Sequence, residues 1–172
     1  AFDLDGRTVV LLGDREAGKS TTVAAARAAG FAVRADDVVV LDGTDALPGT
    51  SLIDLREPAS TIYGGQALGR VGSRERWRIH LDPVATSAPV AAFVRLTWGA
   101  NVDVTPLPQS SLLQGLYASA AIRETIAQHI GSRPSLMMDL LSIPYYEFQR
   151  PRDLSLLGGA VATLCDQVGR GR

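Results

Sequence analysis

The sequence has one cysteine, Cys165, and one lysine, Lys19, among 172 residues. A single thiol allows no internal disulfide, so the fold must rest on its core, and such cysteine usage suits a reducing cytoplasm. Cys165 sits in an apolar helical run and is expected to be buried. Two histidines, His80 and His129, give a zinc site no support. No apolar run approaches a membrane span and no signal peptide is visible. With a net charge of −1 there is no basic field, so neither nucleic acid nor an anionic membrane is expected as a partner. Charged residues at 20% and apolar ones at 46% exclude a disordered chain. Repeats and low-complexity segments are missing too. What remains is one domain, residues 1–172, long enough for a good-sized core. It opens at Ala1 without Met, already close to a strand, which reads as a domain processed or excised from a slightly longer chain.

The lone lysine is placed tellingly. The other 16 of the 17 basic residues are arginines. Lys19 stands in Gly13-Asp14-Arg15-Glu16-Ala17-Gly18-Lys19-Ser20-Thr21, which has the G-x-x-x-x-G-K-S spacing of a phosphate-binding P-loop. Arg7 to Leu12 before it is a β-branched, apolar run that predicts a buried strand. Thr21 to Ala29 after it is rich in Ala, favours helix, and stops at Gly30. Strand, glycine loop and helix are the context the motif requires. Backbone N–H groups of such a loop and of the helix start converge on phosphate oxygens. Lys19 would reach the β- and γ-phosphates, and the Ser20 hydroxyl would be a Mg²⁺ ligand.

Along the rest of the chain, Phe2–Leu4 and Arg7–Leu12 predict a hairpin turning at Asp5-Gly6. Phe31 to Ala35 and Val38 to Leu41 read as strands, Ser51 to Arg56 as a short strand, and Ser60 to Gly72 as loop. Ser73 to Leu81 reads as a strand with Arg74, Arg76 and Arg78 on one face and Trp77 and Ile79 on the other. Val90 to Trp98 predicts a central strand and Val102 to Thr105 a short one. A helix from Ser110 or Ser111 to Gly131 and another from Ser135 to Leu141 follow. Tyr145 to Gln149 reads as a strand, as well at an edge with half-buried rings as lining a pocket. A last helix, capped by Asp153 or Ser155, runs to about Val168. The fold class is α/β, a mixed sheet around the P-loop with flanking helices.

Asp36-Asp37 is the second feature with chemistry. On a strand end, adjacent carboxylates point to opposite sides. One would face Mg²⁺ and the other the attacking hydroxyl, a division suited to phosphoryl transfer.

The run GDREAGKSTTVAAARAAGFAVRADDVVVL resembles the core of HPr kinase/phosphorylase and its smaller relatives, with Asp36 sixteen residues after Ser20. IPYYEFQRPRDLSLL is similar to the strand and Pro-Arg-Asp turn that close many small relatives. The resemblance implies the phosphoenolpyruvate-carboxykinase-like P-loop fold and transfer of the ATP γ-phosphate to a Ser hydroxyl of a protein or peptide. It implies Asp36 as catalytic base and Asp37 beside the metal. Asp54-Leu55-Arg56 is the closest match to the family's acidic metal-assisting segment, so Asp54 joins Ser20 and Asp37 as a metal ligand. The family's histidine before the P-loop would fall just ahead of Ala1. The glycine-rich segment that recognises HPr is not recognisable.

Other readings stay open. The acceptor is a peptide or protein Ser, or else a small metabolite; a nucleotide-binding module without transfer is the third alternative. A homo-oligomer is compatible with the sequence. The Arg70, Arg74, Arg76 and Arg78 stretch reads first as a solvated strand face with Trp77 in the core. Its functional alternative is to hold an acidic peptide or transition-state charge, with Trp77 stacking on adenine. Gly64, Gly65 and Gly69 suit a mobile lid.

Overall fold

The computed structural model describes residues 1–119 and 134–171. The chain forms a mixed α/β fold. A hairpin opens it: β1 (Phe2–Leu4) and β2 (Arg7–Leu12) pair antiparallel through the Asp5-Gly6 turn. Helix α1 (Lys19–Ala28) follows the glycine loop. Two short strands, β3 (Leu41–Asp42) and β4 (Asp45–Ala46), lead to β5 (Leu52–Leu55) and the short helix α2 (Ala59–Tyr63). Then come β6 (Gln66–Val71), β7 (Arg74–His80), the long β8 (Ala88–Trp98) and β9 (Asp103–Pro106). Helices α3 (Gln109–Ser119) and α4 (Pro134–Leu141), strand β10 (Tyr145–Arg150), a 3-10 turn (Leu154–Leu156) and α5 (Leu157–Arg170) complete it.

The main sheet runs β1-β2-β8-β10-β9, with β3 and β4 joined at one end of β8. β2, β8 and β10 are mutually parallel along their pairings, whereas β1 and β9 are antiparallel to their neighbours. Buried on both faces, the central strands read as continuous apolar runs. Val9 and Leu11 of β2 join Ala92, Val94 and Leu96 of β8 on the face covered by α1 and α5. Val10, Leu12 and Phe93 face the other way, toward Leu112 of α3 and Leu140 of α4. A second, three-stranded antiparallel sheet, β5-β7-β6, stands beside α1. Ile53, Leu55 and Ile79 turn into the α1 core from it.

Several expectations are corrected. Phe31 to Ala35 is no strand but an extended segment bridged to β1 only at Phe2 and Val33. Its Arg34 is buried, clamping both Asp3 oxygens and the Ala46 and Thr86 carbonyls. Val38 and Val40 are exposed, and strand structure starts only at Leu41. Residues 60–72, expected as loop, hold most of α2 and all of β6. β6 is exposed along its whole length and so carries no apolar alternation to betray it. Tyr145 and Tyr146 are not at an edge: β10 lies between β8 and β9, and both rings are buried. The expected helix beyond Ser119, as far as Gly131, lies outside the described residues. Among the described residues no helix is long and apolar enough to cross a membrane.

Candidate functional site

The Gly13–Thr21 loop leaves β2 at the end of the parallel strands and turns into α1. Gly18 is the residue before the helix, with φ 81, a conformation that suits glycine and that ends the loop on the helix N-terminus. No side chain caps this helix start, which leaves its first N–H groups facing the cleft. Space is as tight as the backbone: a Cβ on Gly18 would stand 2.8 Å from Arg150 Nη2 and 3.0 Å from Trp98. Lys19 folds back along the loop, its ammonium donating to the Gly13 and Asp14 carbonyls at 2.7 and 3.0 Å. Asp14, Arg15 and Glu16 form the exposed apex, with Glu16 at φ 69.

Beneath the loop lies Arg150, at 1% exposure the largest fully buried side chain. It donates to the carbonyls of Ala17 in the loop and Thr97 on β8. Its guanidinium stacks over Trp98 at 4.3 Å, and Arg152 lies over the same ring at 4.8 Å. Burial lowers the Arg150 pKa to about 10, far enough above neutrality to leave it charged. A cation therefore sits directly behind the loop. Sequence reasoning missed Arg150 and Trp98; the available signal was an arginine closing the otherwise apolar alternation of β10.

Asp36 and Asp37 split as their adjacency implies, although they sit on a bend and not a strand end. Asp36 is buried and accepts a hydrogen bond from the Asp54 backbone N–H at 3.3 Å, and the Ser20 hydroxyl and the Asp37 N–H are close enough to favour its ionised form. Burial is the largest influence on its carboxyl and pushes the pKa up; these neighbours and the N-terminal ammonium work in the opposite direction. Asp37, at φ 66, points out into the cleft mouth. Asp54 is arranged differently from expectation. Both its oxygens are held by Arg78, at 2.7 and 2.8 Å, so a metal would have to displace that fork.

These groups line one cleft of about 1190 Å³. The glycine loop forms one wall. The β5-β7 sheet forms the other, with Arg74, Arg76 and Arg78 on its inward face. The alternation expected for β7 is present, but this face meets the cleft and is not simply solvated. Trp77 is half-buried on the opposite face, away from the loop; the tryptophan beside the loop is Trp98. Glu16 spans the two walls, accepting from Arg74 at 2.7 Å and pairing with Arg56 at 3.5 Å.

Among the described residues no group of three or more His, Cys, Asp or Glu side chains could cage a metal. The Ser20 hydroxyl and the Asp37 carboxylate, both on the cleft, are oxygen donors suited to a hard cation that draws its other ligands from water and phosphate, as Mg²⁺ does. Comparison with known protein families, curated proteins and solved structures gives no match for this chain.

Proposed function

We propose that the chain is a P-loop phosphotransferase that moves the γ-phosphate of ATP to a hydroxyl, most simply the Ser of a peptide or protein. The observation that carries this reading is that Lys19 and Ser20, at the start of α1, and the buried Asp36 line the same cleft, with the Ser20 hydroxyl near enough to the Asp36 carboxyl to favour its ionised form. It joins the two halves of the motif read from the sequence at one corner of one cleft. The resemblance to the HPr kinase group supports the same reading, as does the parallel β2-β8-β10 core under the loop.

In this proposal the loop N–H groups and the α1 N-terminus bind the phosphates. Lys19 swings off the Gly13 and Asp14 carbonyls onto the transferring phosphate. Arg150 holds the Ala17–Gly18 turn in place and adds positive potential behind it. Ser20 and Asp37 would hold Mg²⁺, which would neutralise phosphate charge. Asp36 accepts the proton of the acceptor hydroxyl as its oxygen attacks the γ-phosphorus and the bond to the β-phosphate bridge oxygen breaks. Asp54 keeps Arg78 in place.

The test is calorimetric titration of the chain with ATP and Mg²⁺ beside Lys19→Ala, followed by phosphate transfer to serine peptides. Binding that disappears in Lys19→Ala, with label found on serine, is the expected result. Failure of the unaltered chain to bind, or binding unchanged in Lys19→Ala, overturns the proposal.

A further inference from the structure

The arginines of β7 exceed what the cleft neutralises. Arg78 is matched by Asp54, and Arg74 shares Glu16 with Arg56. Arg76, between them on the same face, makes no ion pair or hydrogen bond among the described residues and is half-buried. Strand register sharpens the imbalance. Asp54 lies opposite Arg78 and Leu55 opposite Trp77, so the next step brings Arg56 opposite Arg76. Like charges in that relation are unfavourable until an anion joins them. The Arg56 pKa is lowered, by burial first and then by repulsion from Arg76 and Arg74.

We infer that the β7 arginine row, centred on Arg76 with Arg56 and Arg74, seats the carboxylates of an acidic peptide that presents the serine to be phosphorylated. The inference rests on the kinase reading for the serine, but not for the acidic seat. Three observations carry it. First, the row faces the glycine loop across the cleft, so an anion on it lies on the acceptor side and not among the loop donors. Second, the row already receives carboxylates. Glu16 reaches from the loop apex to Arg74 and Arg56, and Asp54 takes Arg78 as a bidentate pair. Third, Arg74, Arg76 and Arg78 repeat every second residue along a strand, about 6.7 Å apart. Acidic side chains at alternate positions of an extended peptide have the same spacing. A compact metabolite with one anionic group would engage one arginine and leave the others unmatched.

The experiment measures fluorescence anisotropy of two labelled peptides on the full chain with ADP and Mg²⁺, so that binding is read without turnover. One peptide has a central serine flanked by glutamates at alternate positions; the other has glutamines there. The acidic peptide is expected to bind at least about tenfold more tightly. Raising salt from about 50 to about 300 mM should shrink that advantage. Arg76→Gln should remove most of it, Arg76→Lys should restore part, and Arg70→Gln, on the exposed β6 outside the cleft, should leave it. Equal binding of the two peptides, or an advantage untouched by Arg76→Gln, overturns the inference. So does a parallel loss of ADP affinity in Arg76→Gln, which would assign the row to the nucleotide. Acidic-peptide binding through Arg76 without phosphate transfer upholds this inference and defeats the kinase reading. Transfer equally good to both peptides, with equal binding, does the reverse.

Discussion

Asp36 carries two opposed demands. It must stay buried against Ser20 and the Asp54 N–H group, yet be ionised to take a proton. Burial pushes its pKa up, so the acid limb of the rate profile should lie above that of an unburied aspartate, with activity lost as pH falls through it. Asp36→Asn keeps the size and one acceptor oxygen. It should hold ATP affinity within a few-fold while turnover drops by about 100-fold or more, and the acid limb should vanish from a pH–rate series. Linkage gives a second readout. A carboxyl whose folded pKa is raised contributes stability below its unfolded pKa and loses it as pH rises through the folded value. Asp36→Asn should therefore be no less stable than the parent at neutral pH, and thermal melts at pH 5 and 8 would check this. Unchanged turnover would remove Asp36 from the chemistry.

At the scale of elements, β10 and β8 brace the glycine loop from behind through Arg150 and Trp98. Gly18→Ala places a methyl group against Arg150 and Trp98 at a positive φ. We expect a loss of about 1–3 kcal/mol by denaturant titration, with ATP binding impaired more than stability alone explains. Helix α5 makes a contrast. Leu157, Ala160, Val161, Leu164, Cys165 and Val168 bury one stripe of it against the core that includes α1. Leu164→Ala should cost about 2–5 kcal/mol and leave ATP affinity unchanged in the folded fraction. Cys165 on that stripe has its thiol pushed up to about 11, by burial and then by Asp166 and Asp5. It should react with a thiol reagent only as fast as the chain unfolds.

These elements also show what the sequence made legible. The β1-β2 hairpin follows from turn chemistry, α1 from helix propensity and its glycine stop, β7 and α5 from periodicity, and β8 from a continuous apolar run. β6 was hidden because it buries nothing and owes its form to pairing with β7. The segment around Val33 looks like a strand because it is apolar, but that composition reflects burial of Val33 and Ala35 against the core and not a full ladder. Lys19, Ser20 and Asp36 were legible because local motifs hold them. Arg150, Trp98 and the orientation of the β7 arginines depend on which strands meet, which no local window contains.

For the whole molecule, charge is sorted more than its net value suggests. The chain is −1 overall, yet eight basic and six acidic side chains line the cleft, so the remaining residues carry a net negative charge larger than the chain's own. Such a cleft attracts anions through low-dielectric walls and should lose part of that attraction in salt. The cleft also lies between two sheets joined through the α1 core and by the Glu16 bridge to Arg74 and Arg56. A nucleotide with Mg²⁺ that contacts the loop therefore stabilises the folded chain against a state in which the loop is loose. At about 100 times its Kd, a ligand specific for the folded state adds about 2.7 kcal/mol. In a chain of this size that corresponds to a rise in Tm of roughly 5–10 °C. Differential scanning fluorimetry should show this rise with ATP and Mg²⁺ and lose it in Lys19→Ala, where the melting temperature without ligand stays close to the parent's. A rise that survives in Lys19→Ala would mean that the nucleotide is held by the arginine wall and not by the loop, and the polarity assigned to the cleft would have to be reversed.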